Sequence, residues 1–436
     1  MKLDEMRNFC IEIIMAGVSA ADPYRLVEKN IQVDGNEIKI CDRTFDRDEF
    51  EEIVVLGIGK ASTAMASGCK KLDPDDGLII TKKGYGFDNL NPIEVRIADH
   101  PYPEKNSLLA ASDLLSKVEK KKDSLFVFLI SGGGSSLFSL PVEGVSIEDL
   151  NKLNRLLVNS GATIHEINTV RKHISRVKGG KFGKFCSKHG KVISLILSDV
   201  VGDNLSDIAS GPTYQDNTTY QDTKTVLEEY DLWEKIPESV RKHIMKGLEG
   251  VIEDTPSEVD TDNYLIGNNL LALRKARNIA EKKGFDAMIL TSQNTGEAKE
   301  SAKPLTGIAK EIQDSYNPIR PPAALVIGGE TTVAMNDINI VERKGGPNRE
   351  LILSAALEIK EREKIVVASV DTDGTDGRGK AGAMADTASV HRSELDANEL
   401  LNGHDSQRFF DELGDSIELN SRTNVNDITV ILIDET

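Results

Sequence analysis

Four short stretches of this chain join glycine to groups that hold or move charge, and each follows an apolar run. The first is IVVLGIGKAST (53–63), where a strand-like run breaks at Gly57 and Gly59 and Lys60 follows. A Walker A loop with its lysine at Lys60 requires Gly at 54 and Ser or Thr at 61, and the chain has Val54 and Ala61. A dinucleotide fingerprint fails too, with Ser62 in the place of its third glycine. What survives is a tight strand-to-helix turn whose unpaired N–H groups suit an anion, with a cation at its mouth. The second stretch is LFVFLISGGGSSLFSLP (125–141). Three successive glycines, Gly132, Gly133 and Gly134, cost backbone entropy and make sense where amides must face a ligand. Ser131, Ser135 and Ser136 flank them, the last two as expected hydroxyl donors. The third is AALVIGGETTVAMND (323–337), whose strand ends in Gly328 and Gly329 beside Glu330, Thr331 and Thr332. The fourth is the turn SVDTDGTDGRGKAGAMAD (369–386), which offers Asp371, Asp373 and Asp376. It is no EF-hand, since Asp376 and Gly382 stand where glycine and glutamate are needed; a loosely held Mg²⁺ and a plain polar turn both fit.

Three further constellations carry charge. HEINTVRKHISRVKGGKFGKF (165–185) is locally basic, with Arg171, Ser175 and Lys178 on one helical face, a candidate carboxylate or phosphate clamp. SLILSDVVGDNLSDIASGPT (194–213) places Asp199 where a strand ends, then Asp203; either carboxylate suits a metal, or Asp199 a hydroxyl proton. VERKGGPNRE (341–350) puts Arg343, Asn348, Arg349 and Glu350 around a helix start. No HExxH, CxxC or sequence-level Ser–His–Asp pattern appears, which argues against zinc and triad chemistry.

The elements that must position these residues alternate. Strands are expected at 53–56, 77–81, 93–97, 125–130, 192–198, 264–266, 286–291, 323–327, 364–370 and 428–433. Helices are expected at 106–119, 148–160, 163–176, 222–230, 238–248, 269–283, 296–314 and 349–361. Several strands are apolar on both faces, as strands covered by helices are. The rhythm predicts an α/β fold of two domains with largely parallel sheets: a three-layer, Rossmann-like larger domain and a smaller α/β domain around a cleft. The polar stretch 250–263 reads as a linker, which sets the domains at 1–255 and 256–436, with the last strand packing back on the first. Leu3, Met6, Cys10, Ile13, Ile14 and Gly17 form one face of an opening amphipathic helix, interrupted by charges that a signal peptide lacks.

Composition narrows the partners. The 436 residues carry 53 basic and 71 acidic side chains, a net charge of −18, which disfavours nucleic acid and anionic membranes but not a small anion in a local basic cluster. No apolar run reaches the ~20 residues of a membrane span. Four cysteines without pairing motifs fit a reducing, cytoplasmic setting.

Taken in order, GIGKAS, DHPYP (99–103), SGGGSSL, EINTVRKHISRVKGGK, SDVVGDNLSDIASGPT, GGETTV, KGGPNRE, DTDGTDG and TNVND (423–427) resemble the glycerate 2-kinase family, whose members carry a MOFRL region. The resemblance implies ATP-dependent phosphorylation of the 2-hydroxyl of D-glycerate with Mg²⁺. It matches the family's proposed active-site lysine to Lys60. The family's GGRNQE-like arginine falls at Pro347, so Arg349 or Arg343 is expected to supply that charge. On this reading Lys60 stabilises the phosphoryl group and Asp199 handles the attacking hydroxyl. The SGGGSS and GGETT turns hold anionic groups, Arg171, Lys178 and Asn348 hold substrate, and Asp199, Asp203, Asp371 and Asp373 are the metal candidates. A homodimer is a further expectation. The rival is an NAD(P)H-dependent hydroxypyruvate reductase, against which Ser62 and the Thr81–Lys82 end of the second strand both count.

Overall fold

The structure is a computed structural model that describes residues 1–85, 89–334 and 345–435. The chain divides into two compact units, Pro23–Ile266 and Met1–Asp22 with Gly267–Thr436.

The larger unit is built on six strands: β1 (Ile53–Ile58), β2 (Asp76–Lys82), β3 (Ile93–Ala98), β4 (Ser124–Ile130), β5 (Gly190–Leu197) and β6 (Asp262–Gly267). Their order across the sheet is β3-β2-β1-β4-β5-β6, and the pairs from β3 to β5 are parallel. Every residue of β1 and β4 is buried, because the helices leave no solvent face. Phe126, Phe128, Phe138 and Phe182 anchor that core. The strand order reverses between β1 and β4, which is where open α/β sheets hold their ligands, beyond the carboxyl ends of the strands. GIGK and SGGGSS are those two ends. Helix α1 (Leu3–Ala20) belongs to the other unit; α2 (Ser62–Ser67) follows β1, and α3 (Lys105–Glu119) precedes β4. Helices α4 (Ile147–Val158) and α5 (Ile164–His173) lie between β4 and β5. Ser146 caps α4 by accepting from Asp149, and Thr163 with Glu166 forms a capping box on α5. A separate antiparallel meander spans residues 31–46 and was not expected.

The second unit has β7 (Asp286–Glu297), β8 (Ala323–Thr332), β9 (Ile365–Asp371), β10 (Gly382–Asp386), β11 (Ser416–Ile417) and β12 (Asp427–Ile433), ordered β7-β8-β12-β9-β10-β11. Its helices include α6 (Asn269–Lys282), α7 (Ala298–Ser315) and α8 (Pro347–Ile359). Only β7 and β8 pair in parallel; the other neighbours are antiparallel, which corrects the expectation of a largely parallel sheet. The cause is the last strand. β8 and β9, joined through α8, point the same way, but fully buried β12 enters between them and runs against both. The last strand therefore does not pack back on the first; it takes a central place in its own sheet.

The expected boundary also moves. Residues 250–263 are docked on the larger unit rather than linking two domains: Thr255 donates to Asp216 at 2.7 Å, and Thr261 to the Thr213 carbonyl at 2.6 Å. Helix α1 packs on α6 and β12, with Met6, Cys10, Ile13 and Ile14 wholly buried.

Candidate functional site

In the larger unit the two glycine turns are laced together. The Lys60 N–H donates to the Gly132 carbonyl at 2.8 Å, the Ala61 N–H to the Ser131 hydroxyl at 3.1 Å, and the Ser131 N–H to the Ile58 carbonyl at 3.0 Å. Gly59 has φ +120°, and a Cβ there would lie 2.3 Å from Ser131 Oγ, so only glycine allows this approach. Gly133, at φ +78°, lies under the His100 ring and the Lys60 stem: a Cβ would come within 3.2 and 3.3 Å of them. Beyond it, Gly134–Leu137 makes a single helical turn.

A cavity of about 330 Å³ opens beside these turns. His100, Gly133, Ser135, Ser136, Arg171 and Lys178 line it. The helix expected over 163–176 ends at His173, so Ser175 and Lys178 leave it in an irregular turn, yet both reach the cavity with Arg171. Lys178 is buried and donates to the Ser135 carbonyl and, at 3.0 Å, to Ser135 Oγ. Arg171 Nε donates to Asn154 Oδ1 at 2.9 Å. Among the described residues neither cation has a carboxylate partner. Burial, and then the positive charge of Arg171, hold the Lys178 amine well below its ordinary pKa. Burial lowers Arg171 to about 10. Two desolvated cations without a counter-ion are what a small anion would relieve. Two neighbouring cations of the same basic stretch are otherwise engaged: Lys172 pairs with buried Asp216 at 3.1 Å, and Lys181 donates to two backbone carbonyls. Asp199 and Asp203 follow β5 at the same edge of the sheet; the Asp203 N–H closes a turn on the Val200 carbonyl at 3.0 Å. A larger cavity, of about 680 Å³ between Lys152, Arg155, Tyr230 and Lys235, holds none of the predicted residues.

In the second unit the GGETT, NRE, DTDGTDG and TNVND stretches meet at one sheet edge. Gly329 and Asp371 are the register partners of Asp427 on its two sides. Asn348 donates to Asp427 at 2.7 Å, the Thr331 N–H reaches the same carboxylate at 3.4 Å, and Asn426 donates to Glu330 at 2.9 Å. Gly328 lies so close to Asn269 that a Cβ would overlap its amide. Burial, and then the Asp371 carboxylate, push Asp427 well above the ordinary carboxyl range. The DTDGTDG and TNVND stretches stand out in the sequence, but their spacing reports neither Asp427 as the centre of this cluster nor the pairing of Asp376 with Arg349.

Arg349 differs from expectation. It is completely buried, its Nε donates to Asp376 Oδ2 at 3.1 Å and its guanidinium also reaches the Asp376 carbonyl. The Asp376 carboxylate in turn accepts the Asn348 and Arg349 N–H groups, so the pair locks the DTDGTDG loop to the start of α8. Arg349 thus faces the Asp376 carboxylate through its Nε. Arg343 lies outside the described residues. Asp373 accepts from the N–H and hydroxyl of Thr375. Among the described residues no three His, Cys, Asp or Glu side chains converge on a point that could hold a metal ion.

Comparison with known proteins decides the family. Residues 9–245 match the family described as "Domain of unknown function (DUF4147)", and residues 323–427 match the MOFRL family. The glycerate 2-kinase of Pyrococcus horikoshii is 42% identical over 98% of this chain and 98% of its own. The chain belongs to the MOFRL-type glycerate kinase family. The D-glycerate 2-kinase of Thermotoga maritima is 35% identical over 99% of both chains. A crystal structure of glycerate kinase from Thermotoga maritima superposes with a TM-score of 0.85 at 34% identity, covering 99% of this chain and 100% of that one. The MOFRL match spans β8 to the first residue of β12, and so contains the whole Asp427 cluster.

Proposed function

We propose that this chain is a D-glycerate 2-kinase, which moves the terminal phosphoryl group of ATP to the 2-hydroxyl of D-glycerate. The observation that carries the reading is the pair of half-buried Arg171 and buried Lys178, without carboxylate partners among the described residues, on a cavity at the strand-order reversal. A cavity of that size takes a three-carbon acid. Its carboxylate would be held by Arg171 and Lys178. Lys60, on the joined glycine turns, would stabilise the charge on the transferring group. Asp199 would orient the attacking hydroxyl and take its proton. With no three-carboxylate cluster among the described residues, Mg²⁺ would arrive on the phosphates of ATP, as this ion commonly does. The GGETT turn of the second unit is offered as a further anion-holding segment.

The reductase rival lacks support at the turn itself. Ser62 fills the third-glycine place, and its hydroxyl donates to the Gly59 carbonyl at 2.7 Å rather than leaving room for a pyrophosphate. ³¹P NMR of the product from ATP and D-glycerate tests the reading: a phosphate on C2 is expected, while steady oxidation of NADH or NADPH by hydroxypyruvate without ADP formation would overturn it. Lys60→Met is expected to lower kcat by about 100-fold or more with an unchanged melting temperature. Normal turnover by that variant would remove the lysine from the mechanism.

A further inference from the structure

One chain of hydrogen bonds behind the cavity has a definite direction. Asn168 Nδ2 faces two oxygens of Asp207, the carboxylate at 3.0 Å and the backbone carbonyl at 3.4 Å. Both are acceptors, so the amide nitrogen must lie there and its oxygen must face the other way. That oxygen accepts from Ser210 Oγ at 2.9 Å. The single Ser210 proton is thereby engaged, and its contact with Ser135 Oγ at 2.8 Å requires Ser135 to be the donor. Lys178 Nζ lies 3.0 Å from the same Ser135 oxygen and donates to it. Were the amine neutral and its lone pair turned to Ser135, the serine proton would point to Lys178 instead. In both cases that proton is held inside the protein and only a lone pair of Ser135 faces the cavity. Ser136 behaves alike, since its hydroxyl donates back to the Gly133 carbonyl at 3.2 Å.

The backbone holds this arrangement at a cost. Ala209, Ser210 and Gly211 are successive left-handed residues, with φ of 51°, 61° and 58°. Two of them carry a Cβ that disfavours the conformation, and such strain concentrates at functional sites. The Ala209 methyl sits against Gly134, where an added Cβ would come within 2.8 Å. The strained turn thus seats the Ser210 hydroxyl under the SGGGSS loop.

We infer that Ser135 is a hydrogen-bond acceptor for a hydroxyl of the substrate and sets the enzyme's preference for a dihydroxy acid, with Ser210, Asn168 and Asp207 as the positioning residues that keep it so. This rests on the kinase reading for which hydroxyl is meant: with the 2-hydroxyl attacking the phosphoryl group, the donor to Ser135 is the 3-hydroxyl. The cavity then has two kinds of polar wall, cations for a carboxylate and acceptor-only serines for a hydroxyl beside it. The sequence expectation of Ser135 as a donor to a phosphate is reversed by this reading.

The test compares D-glycerate with D-lactate, which lacks the 3-hydroxyl, and with 3-deoxy-3-fluoro-D-glycerate, which keeps its size but has no proton to give. Calorimetry on the wild-type protein should find both analogues bound at least ~10-fold more weakly than D-glycerate, because a site built to pair a hydroxyl rejects ligands without one. Equal binding of the fluoro compound would overturn the proposal. In Ser135→Ala the loss of affinity should fall on D-glycerate, at least ~10-fold more than on D-lactate, and Ser210→Ala should narrow the preference with Ser135 still present. An unchanged preference in Ser135→Ala would also overturn it, as would failure of D-glycerate to bind the wild type. Selective binding without ADP formation would instead leave this inference standing and remove the kinase reading; turnover of D-glycerate with no selectivity would do the reverse.

Discussion

At the scale of single residues, a charge means something different according to what faces it. Arg171, Lys178 and Arg349 are all at least partly sheltered from water, but among the described residues only Arg349 has a carboxylate partner. Removing one member of a fully buried pair leaves the other charge stranded, so Arg349→Ala is expected to lower stability by about 3–5 kcal/mol in urea unfolding. A variant with wild-type stability and lost turnover would restore Arg349 to the chemistry. Lys178 makes the opposite prediction. Its amine binds a proton less readily in the folded chain than in the unfolded one, so between its lowered pKa and the ordinary ~10.4 the unfolded state holds more protons and stability rises with pH. An arriving carboxylate favours the charged amine, so binding takes up a proton and weakens as pH rises through that window. Calorimetry of D-glycerate binding in buffers of different ionisation enthalpy should report this uptake; proton release, or none at any pH, would remove Lys178 from the anion site. Neither distinction was legible in the sequence. Arg171 and Lys178 stood out because six basic residues crowd one stretch of an acidic chain, whereas the Arg349–Asp376 pair joins residues 27 apart with no pattern between them. The Asp207–Asn168–Ser210 chain was hidden for the same reason, although the strained Ala-Ser-Gly turn lay inside a stretch already marked.

At the scale of elements, the buried strands were the legible part. Runs such as IVVLGI and SLFVFLI are apolar on both faces, and no other element satisfies that pattern in so short a length. What the pattern cannot report is the order in which strands lie side by side. It therefore missed β12 entering between β8 and β9, and it read GAMAD (382–386) as part of a loop because small residues show no period. The meander at 31–46 escaped for a related reason, since only Ile31, Ile38 and Ile40 of its three strands are buried. The glycine turns are where element and chemistry meet. Gly59 lets β1 end within hydrogen-bonding reach of the loop after β4, so Gly59→Ala must push the two turns apart: its methyl would lie 2.4 Å from the Ser131 carbonyl oxygen. We expect a loss of about 1–3 kcal/mol of stability together with a fall of about 100-fold in kcat/KM, since displacement by an ångström costs that much in an aligned site. A stable Gly59→Ala protein with the wild-type rate would show that the junction of the turns does not matter.

At the scale of the whole molecule, the chain order conceals which parts fold together. The first helix comes just before the larger unit in sequence but is part of the other one. Its Phe9 ring packs edge-on against Phe285, its Arg7 joins Asp386 to Asp415, and Cys10 lies against the Val430 carbonyl of β12. Burial pushes the Cys10 thiol up to about 12, consistent with an inert packing role. The apolar face was legible from its spacing; its partner was not, because α6 and β12 begin only at Asn269 and Asp427 and periodicity carries no address. Met6, Cys10, Ile13, Ile14 and Val18 together bury enough apolar surface to contribute on the order of 10 kcal/mol. A domain's entire stability is about 5–15 kcal/mol, so the second unit cannot do without this helix. Deleting residues 1–22 should therefore strip hydrogen-exchange protection from α6 and β12, at the opposite end of the sequence from the cut. Protection retained there would mean that the second unit stands on its own sheet and the helix merely covers it.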